Sequence, residues 1–120
     1  MQRPKFSGAD RFWRAFGASY RGYCGAFRGE AAFRQELAVA VVVIPLGLWL
    51  GDTGVEKAVL VGPMLLILIV ELLNSAIEAV VDRVGYERHE LSGLAKDLGS
   101  AAVLASFGLL GLTWLLVLLF

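Results

Sequence analysis

Residues 58–82 read AVLVGPMLLILIVELLNSAIEAVVD, a run long and apolar enough to cross a bilayer that nevertheless carries Glu71, Asn74 and Glu78. A spanning helix needs about 20 predominantly apolar residues. At about 100° per residue, Asn74 falls about 60° from Glu71 and Glu78 about 20° from it, with Ser75 and Asp82 within about 40° of the same line. One narrow polar stripe therefore runs down half of an otherwise Leu-, Ile- and Val-covered helix. Carboxylates at membrane depth are costly unless paired, metal-bound or wet, and such residues default to function.

Two more spans flank this one. Residues 37–51 are uncharged, and adding 31–33 gives an adequate length, 31–51, with Arg34, Gln35 and Glu36 at the membrane edge. Pro45 lacks an amide and predicts a bend. The segment GDTGVEK at 51–57 is too short for another domain and suits an antiparallel helical hairpin. Residues 98–120 form a third, wholly uncharged span, whose Gly99, Ser100, Ala101, Ala102, Ala105, Ser106, Gly108 and Gly111 offer close-approach positions. Between the second and third spans, RVGYERHELSGLAKD at 83–97 is polar, with breaks expected at Gly85 and Gly93.

Ahead of the first span, Phe12, Phe16, Tyr20, Tyr23 and Phe27 recur in helical steps with Trp13 beside them, and Arg14, Arg21 and Arg28 lie roughly opposite. This predicts an amphipathic interfacial helix over 6–29, rings in the acyl boundary and guanidiniums toward headgroups or water. Gly17, Gly22, Gly25 and Gly29 weaken it in isolation, so it needs the membrane or partner helices. The fold class is thus an all-α membrane protein, one domain over 1–120.

Of the 120 residues 58% are hydrophobic, and eleven acidic residues balance eleven basic ones. The opening MQRPKF has no early apolar run or small-residue cleavage site, so no signal peptide is expected. Cys24 is the only cysteine, which excludes an intrachain disulfide and a thiolate metal cluster. No basic stripe suits a nucleic acid. Seven Lys and Arg residues precede the uncharged run that starts at 37, three lie in 83–97, and only Lys57 lies in the turn between. The positive-inside bias puts the N-terminus and 83–97 in the cytoplasm and the C-terminus outside. Glu30, Glu36, Glu78, Asp82, His89, Glu90, Lys96 and Asp97 then share one cytoplasmic surface.

Three classes of function use such a stripe: a proton or ion relay, polar glue in a non-enzymatic oligomer, or an enzyme's metal and base groups. Three short helices lack the repeated, discontinuous architecture of secondary transporters, and two carboxylates on one face repel unless a cation intervenes. The company of Glu30, Lys96 and Asp97 favours an enzyme using a divalent cation. Phosphoryl transfer needs charge neutralisation at the phosphates and an orienting base. Magnesium accepts Glu30 and Glu78 while keeping waters and phosphate oxygens. Glu78 is one turn from the inner end of its helix, in reach of a soluble nucleotide, and Glu71 lies about 10 Å deeper. A lipid alcohol arrives from that side, which favours Glu71 as general base with Asn74 orienting it or the alcohol.

No Walker loop or protein-kinase motif is present, which leaves Arg11, Lys96, Asp97 and the stretch Glu87, Arg88 and His89 to hold a nucleotide. Each has a plainer alternative. The arginines meet anionic headgroups, His89 caps the loop, and Lys96 snorkels at a helix end. Three helices do not enclose a polar site on all sides, so the Glu71 stripe is expected to face another subunit of a homo-oligomer.

The stretches ELLNSAIEAVVDRVG at 71–85, HELSGLAKDLGSAAV at 89–103 and EAAFRQE at 30–36 together resemble the small prokaryotic diacylglycerol kinase family of integral membrane enzymes. The resemblance runs from about Arg11 into the third span. It implies a homotrimer in the bacterial inner membrane that transfers the γ-phosphate of ATP, with Mg2+, to 1,2-diacylglycerol, giving phosphatidic acid and ADP for phospholipid synthesis. It also implies roles. Glu71 would accept the proton, and Glu30 and Glu78 would ligate metal and phosphate. Arg11, Glu87, Arg88, His89, Lys96 and Asp97 would handle ATP, and Arg34, Gln35, Glu36, Asn74 and Ser100 would lie near the lipid. Departures fall in the surface helix, where Ala18, Tyr20 and Phe27 replace aromatics of better-known members and Gly29 replaces a polar residue. A second branch that phosphorylates undecaprenol shows Asn-Thr-Ala-Ile-Glu and His-Pro-Leu. This chain has Ser75 and Glu90 at the distinguishing positions, which favours diacylglycerol.

Overall fold

The computed structural model describes residues 7–120 as four helices: α1 (Gly8–Gly29), α2 (Ala31–Leu50), α3 (Gly54–Val84) and α4 (Glu90–Leu119). Residue 6, included in the expected first helix, lies outside the described residues. The three later helices are long and apolar enough to cross a membrane.

Local chemistry explains each boundary. The Ser7 hydroxyl accepts from the Asp10 amide at 3.3 Å, and Asp10 in the first turn and Arg28 in the last both complement the helix dipole of α1. One extended residue, Glu30 (φ −119°, ψ 107°), separates α1 from α2. From the first turn of α2, Arg34 Nη1 donates back to the Phe27 carbonyl at 2.7 Å and the Arg28 carbonyl at 3.2 Å. Two carbonyls that a helix end leaves unpaired are thereby satisfied, and the corner is pinned. Pro45 lies inside α2, which continues as helix to Leu50.

The α2–α3 connection is the hairpin expected from GDTGVEK. The Thr53 hydroxyl accepts from the Glu56 amide at 3.1 Å, and Glu56 Oε2 accepts from the Thr53 amide at 3.1 Å and the Asp52 amide at 2.8 Å. Such a capping box contributes about 1 kcal/mol. Gly51 closes the turn because any Cβ there would come within 2.8 Å of the Lys57 amide nitrogen.

Helix α3 has 31 residues, hence a length of about 46 Å at 1.5 Å per residue. That exceeds the hydrocarbon thickness of about 30 Å, so one end projects beyond the apolar core. Gly85 ends it and His89 caps α4. The expected break at Gly93 does not occur. Its amide donates to the His89 carbonyl at 3.0 Å within the first turns of α4, where solvent-facing glycine costs only about 1 kcal/mol. Most of the polar segment 83–97 is therefore helical, and only 85–89 is not.

Helix α3 is central, packed between α2 and α4, while α1 touches chiefly α2. Phe33, Leu60, Met64 and Ile67 are fully buried, and Ala40, Met64 and Ile67 form the α2–α3 core with Val43, Ile44, Leu68 and Leu110 around them. Gly47 permits the close approach, since a Cβ would sit 3.1 Å from Leu60 Cβ and 3.2 Å from Val61 Cγ2. Near the turn, Trp114 Nε1 donates to the Leu60 carbonyl at 2.9 Å, tying α4 to α3. The extents, 57 × 43 × 22 Å, are those of a flat layer of helices. Accordingly Val41, Val42, Trp49, Leu104 and Leu115 stay exposed and find lipid or other protein as solvent.

Candidate functional site

The polar stripe of α3 follows from helical spacing: Glu71, Asn74, Ser75 and Glu78 lie at i, i+3, i+4 and i+7. Glu71 is 5% exposed, Asn74 8% and Glu36, on the first turns of α2, 6%. The Glu36 and Glu71 carboxyls reach hydrogen-bonding proximity across the α2–α3 interface. Glu36 Oε2 has no protein partner. The deep end of the stripe is already covered inside one chain. Glu71 and Asn74 are buried within one chain, because α2 and α4 close on α3 from both sides.

Asn74 lies between Glu71 and Glu78 along the stripe. Its Nδ2 donates to Glu78 Oε1 at 3.4 Å, one turn nearer the helix end. Its Oδ1 has no hydrogen-bond donor and rests against Gly99 of α4. Glu30, at the α1–α2 corner, lies close enough for its charge to act on Glu71, as does Glu78. A cleft of about 480 Å³ opens between α1 and α3 beside this group, lined by Glu30, Tyr23, Leu72 and Ser75 among others. The Ser75 hydroxyl is buried without a partner.

A second cavity of about 210 Å³ lies beneath the 85–89 connection, lined by Asp82, Tyr86, Glu87, Arg88, His89 and Lys96. Lys96 Nζ pairs with Asp82 Oδ1 at 2.8 Å and lies near Glu78. His89 caps α4, its Nδ1 accepting from the Leu91 amide at 3.1 Å, which leaves the proton of a neutral ring on Nε2. On α1, Cys24 one turn along pushes the Tyr20 phenol above its ordinary pKa.

The structure thus gathers Glu30, Glu36, Glu71, Asn74 and Glu78 in one neighbourhood and Glu87, Arg88, His89 and Lys96 in the next. Asp97, Ser100, Arg34 and Gln35 are exposed, the first two on α4 and the others on α2. Arg11 is 19 residues before Glu30 along α1, about 28 Å at the helical rise, and does not join its own chain's carboxyl cluster. Three features escape sequence reasoning: the Glu36–Glu71 contact, the Asp82–Lys96 pair and the seating of Asn74 on Gly99. Each depends on how α2 or α4 is placed against α3.

Comparison with known proteins agrees with this architecture. The profile of the prokaryotic diacylglycerol kinase family matches residues 17–118. A diacylglycerol kinase of Pseudomonas aeruginosa is 50% identical over 94% of this chain and 92% of its own length. Those of Haemophilus influenzae and Escherichia coli K12 are 49% and 46% identical, over 80% and 93% of this chain and 81% and 92% of their own lengths. With most of its length matched at this level, the chain is a kinase that belongs to the prokaryotic diacylglycerol kinase family.

Proposed function

We propose that this chain transfers the γ-phosphate of MgATP to the free hydroxyl of 1,2-diacylglycerol at the cytoplasmic face of the bacterial inner membrane, yielding phosphatidic acid and ADP. The observation that carries the reading is a buried carboxyl group, Glu71, on the same helix face as Asn74 and Glu78, with Asn74 donating to Glu78 at 3.4 Å. A lipid hydroxyl and a soluble nucleotide approach from opposite ends of that line.

In the step, the hydroxyl oxygen forms a bond to the γ-phosphorus. The bond from that phosphorus to the β–γ bridging oxygen breaks, and its electron pair leaves with ADP. The hydroxyl proton passes to a Glu71 carboxylate oxygen. Asn74 holds Glu78 in register. Glu87, Arg88, His89, Lys96 and Asp97 receive the nucleotide, Lys96 exchanging Asp82 for phosphate oxygens. Arg34, Gln35, Glu36 and Ser100 border the lipid headgroup.

The donor chemistry fits magnesium. Among the described residues no three His, Cys, Asp or Glu side chains cluster as a closed metal cage, and magnesium characteristically takes one or two carboxylates plus phosphate oxygens. Glu30 and Glu78 would supply those carboxylates, and the ion would neutralise charge on the phosphates. A homotrimer is supported by the flat helical layer and by α4, of which only Gly99 and Ser106 are buried. It would bring Arg11 of one subunit toward the nucleotide of another. An interfacial placement of α1 is supported by Phe12, Trp13, Phe16 and Tyr20, all more than half exposed.

The test offers purified, lipid-embedded protein γ-labelled ATP with Mg2+ and either diacylglycerol or undecaprenol. Label is expected in phosphatidic acid, with at least about 100-fold less from Glu71→Gln or Glu78→Gln, the loss typical of a removed acid–base group. Label in undecaprenyl phosphate alone would reassign the acceptor. Unchanged transfer by both variants would overturn the mechanism.

A further inference from the structure

Gly99 stands where α4 crosses the functional half of α3, and it is one of two buried residues on that helix. A Cβ built on it would overlap Asn74 Oδ1, with Asn74 Cγ 3.1 Å away and Asn74 Cβ 3.8 Å away. These three atoms, the nearest from outside the local backbone of α4, all belong to Asn74. What a side chain at this position would meet first is therefore the Asn74 amide. Oδ1 is buried and, among the described residues, has no hydrogen-bond donor, so its place against α4 is set by packing on Gly99. The same amide donates from Nδ2 to Glu78 Oε1 at 3.4 Å.

We propose that Gly99 is a positioning residue of the phosphoryl-transfer site: the absent side chain forms the seat that holds the Asn74 amide in register with Glu78. Gly99 touches neither substrate nor the carboxylates and acts through Asn74. This rests on the kinase reading above, in which Glu78 faces the metal-bound nucleotide. A packing explanation makes a different prediction. Glycines that serve helix–helix approach meet the neighbouring backbone or aliphatic carbons, as Gly47 does with Leu60 and Val61. Helix propensity also points the other way, since alanine in a helix interior is favoured over glycine by about 1 kcal/mol.

The experiment is a double-mutant cycle on the full-length protein in lipid, with MgATP kinetics and Mg2+ titration for wild type, Gly99→Ala, Asn74→Ala and the double variant. Loss of a residue that orients a metal ligand costs about 10- to 100-fold in activity or metal affinity. Gly99→Ala is expected to lose that much in kcat/KM for MgATP and to need more Mg2+ for half-maximal rate. Asn74→Ala should show a similar loss. The double variant should fall within about threefold of Asn74→Ala, because the second change has nothing left to displace. If Gly99→Ala fails to assemble, assembly of the double variant supports the proposal, and failure of both overturns it. It is also overturned if Gly99→Ala keeps wild-type kinetics, if Asn74→Ala does, or if the two losses multiply. A wild-type protein inactive on every lipid acceptor would instead remove the kinase reading itself, whatever the variants do.

Discussion

Glu36 and Glu71 face each other from two helices, each at most 6% exposed. Facing carboxyls hold together only with a proton or cation between them, so each depends on the other for its place. Removing one partner leaves a buried polar group unsatisfied at a cost of about 1–3 kcal/mol. Glu36→Ala is therefore expected to lower unfolding stability in mixed micelles by that amount. Glu36→Gln, whose amide donates to Glu71, should recover most of it. Equal destabilisation by both would show that a hydrogen bond to Glu71 is not what holds Glu36 in place. The contrast with Lys96 and Asp82 is one of environment. Their side chains are 44% and 40% exposed, and an ion pair so placed is worth at most about 1 kcal/mol. Breaking this pair therefore costs little, as the nucleotide role proposed for Lys96 requires.

Among the elements, α4 is joined to α3 by different means along its length, the Lys96–Asp82 pair lying nearest its start. At the site level a glycine meets an amide, and near the α2–α3 turn Trp114 donates to the Leu60 carbonyl. Leu60 lies one turn before Met64 and three residues before Pro63, whose missing amide leaves the helical ladder of α3 incomplete in this region. An interhelical hydrogen bond inside a membrane contributes about 0.6 kcal/mol on average and up to about 1.7. Trp114→Phe keeps the ring and loses the donor. It should destabilise the protein within that range while leaving kcat unchanged, because 18 residues separate Trp114 from Lys96, about 27 Å along the helix. Unfolding curves and steady-state kinetics on one preparation check both halves of the prediction.

At the scale of the whole molecule, the proposed reading fixes which way the layer faces and how many copies pack together. The single cysteine makes the first accessible. In a Cys24→Ala background, Asp52→Cys in the α2–α3 turn should react with an impermeant maleimide added to intact cells. Tyr86→Cys in the 85–89 connection should react only after permeabilisation. The reverse pattern would place the site outside, away from nucleotide. Cross-linking of the same cells should give species up to a trimer and no higher.

The number and kind of the spanning helices were legible in the chain, because twenty or more apolar residues in a row have one backbone solution in lipid: all amide hydrogen bonds made within the segment. The hairpin turn and the polar stripe were legible too, since both depend only on neighbours within a few residues. The Gly93 break was misjudged because glycine lowers helix propensity without forbidding the helix. The deep end of the site was not legible at all. Whether Glu71 is covered by Glu36, whether Asn74 rests on Gly99, and whether Lys96 finds Asp82 depend on the register and approach of helices distant in sequence. Packing energies that no single helix contains decide these. The sequence determined which groups stand at membrane depth, and the tertiary structure decided which of them meet.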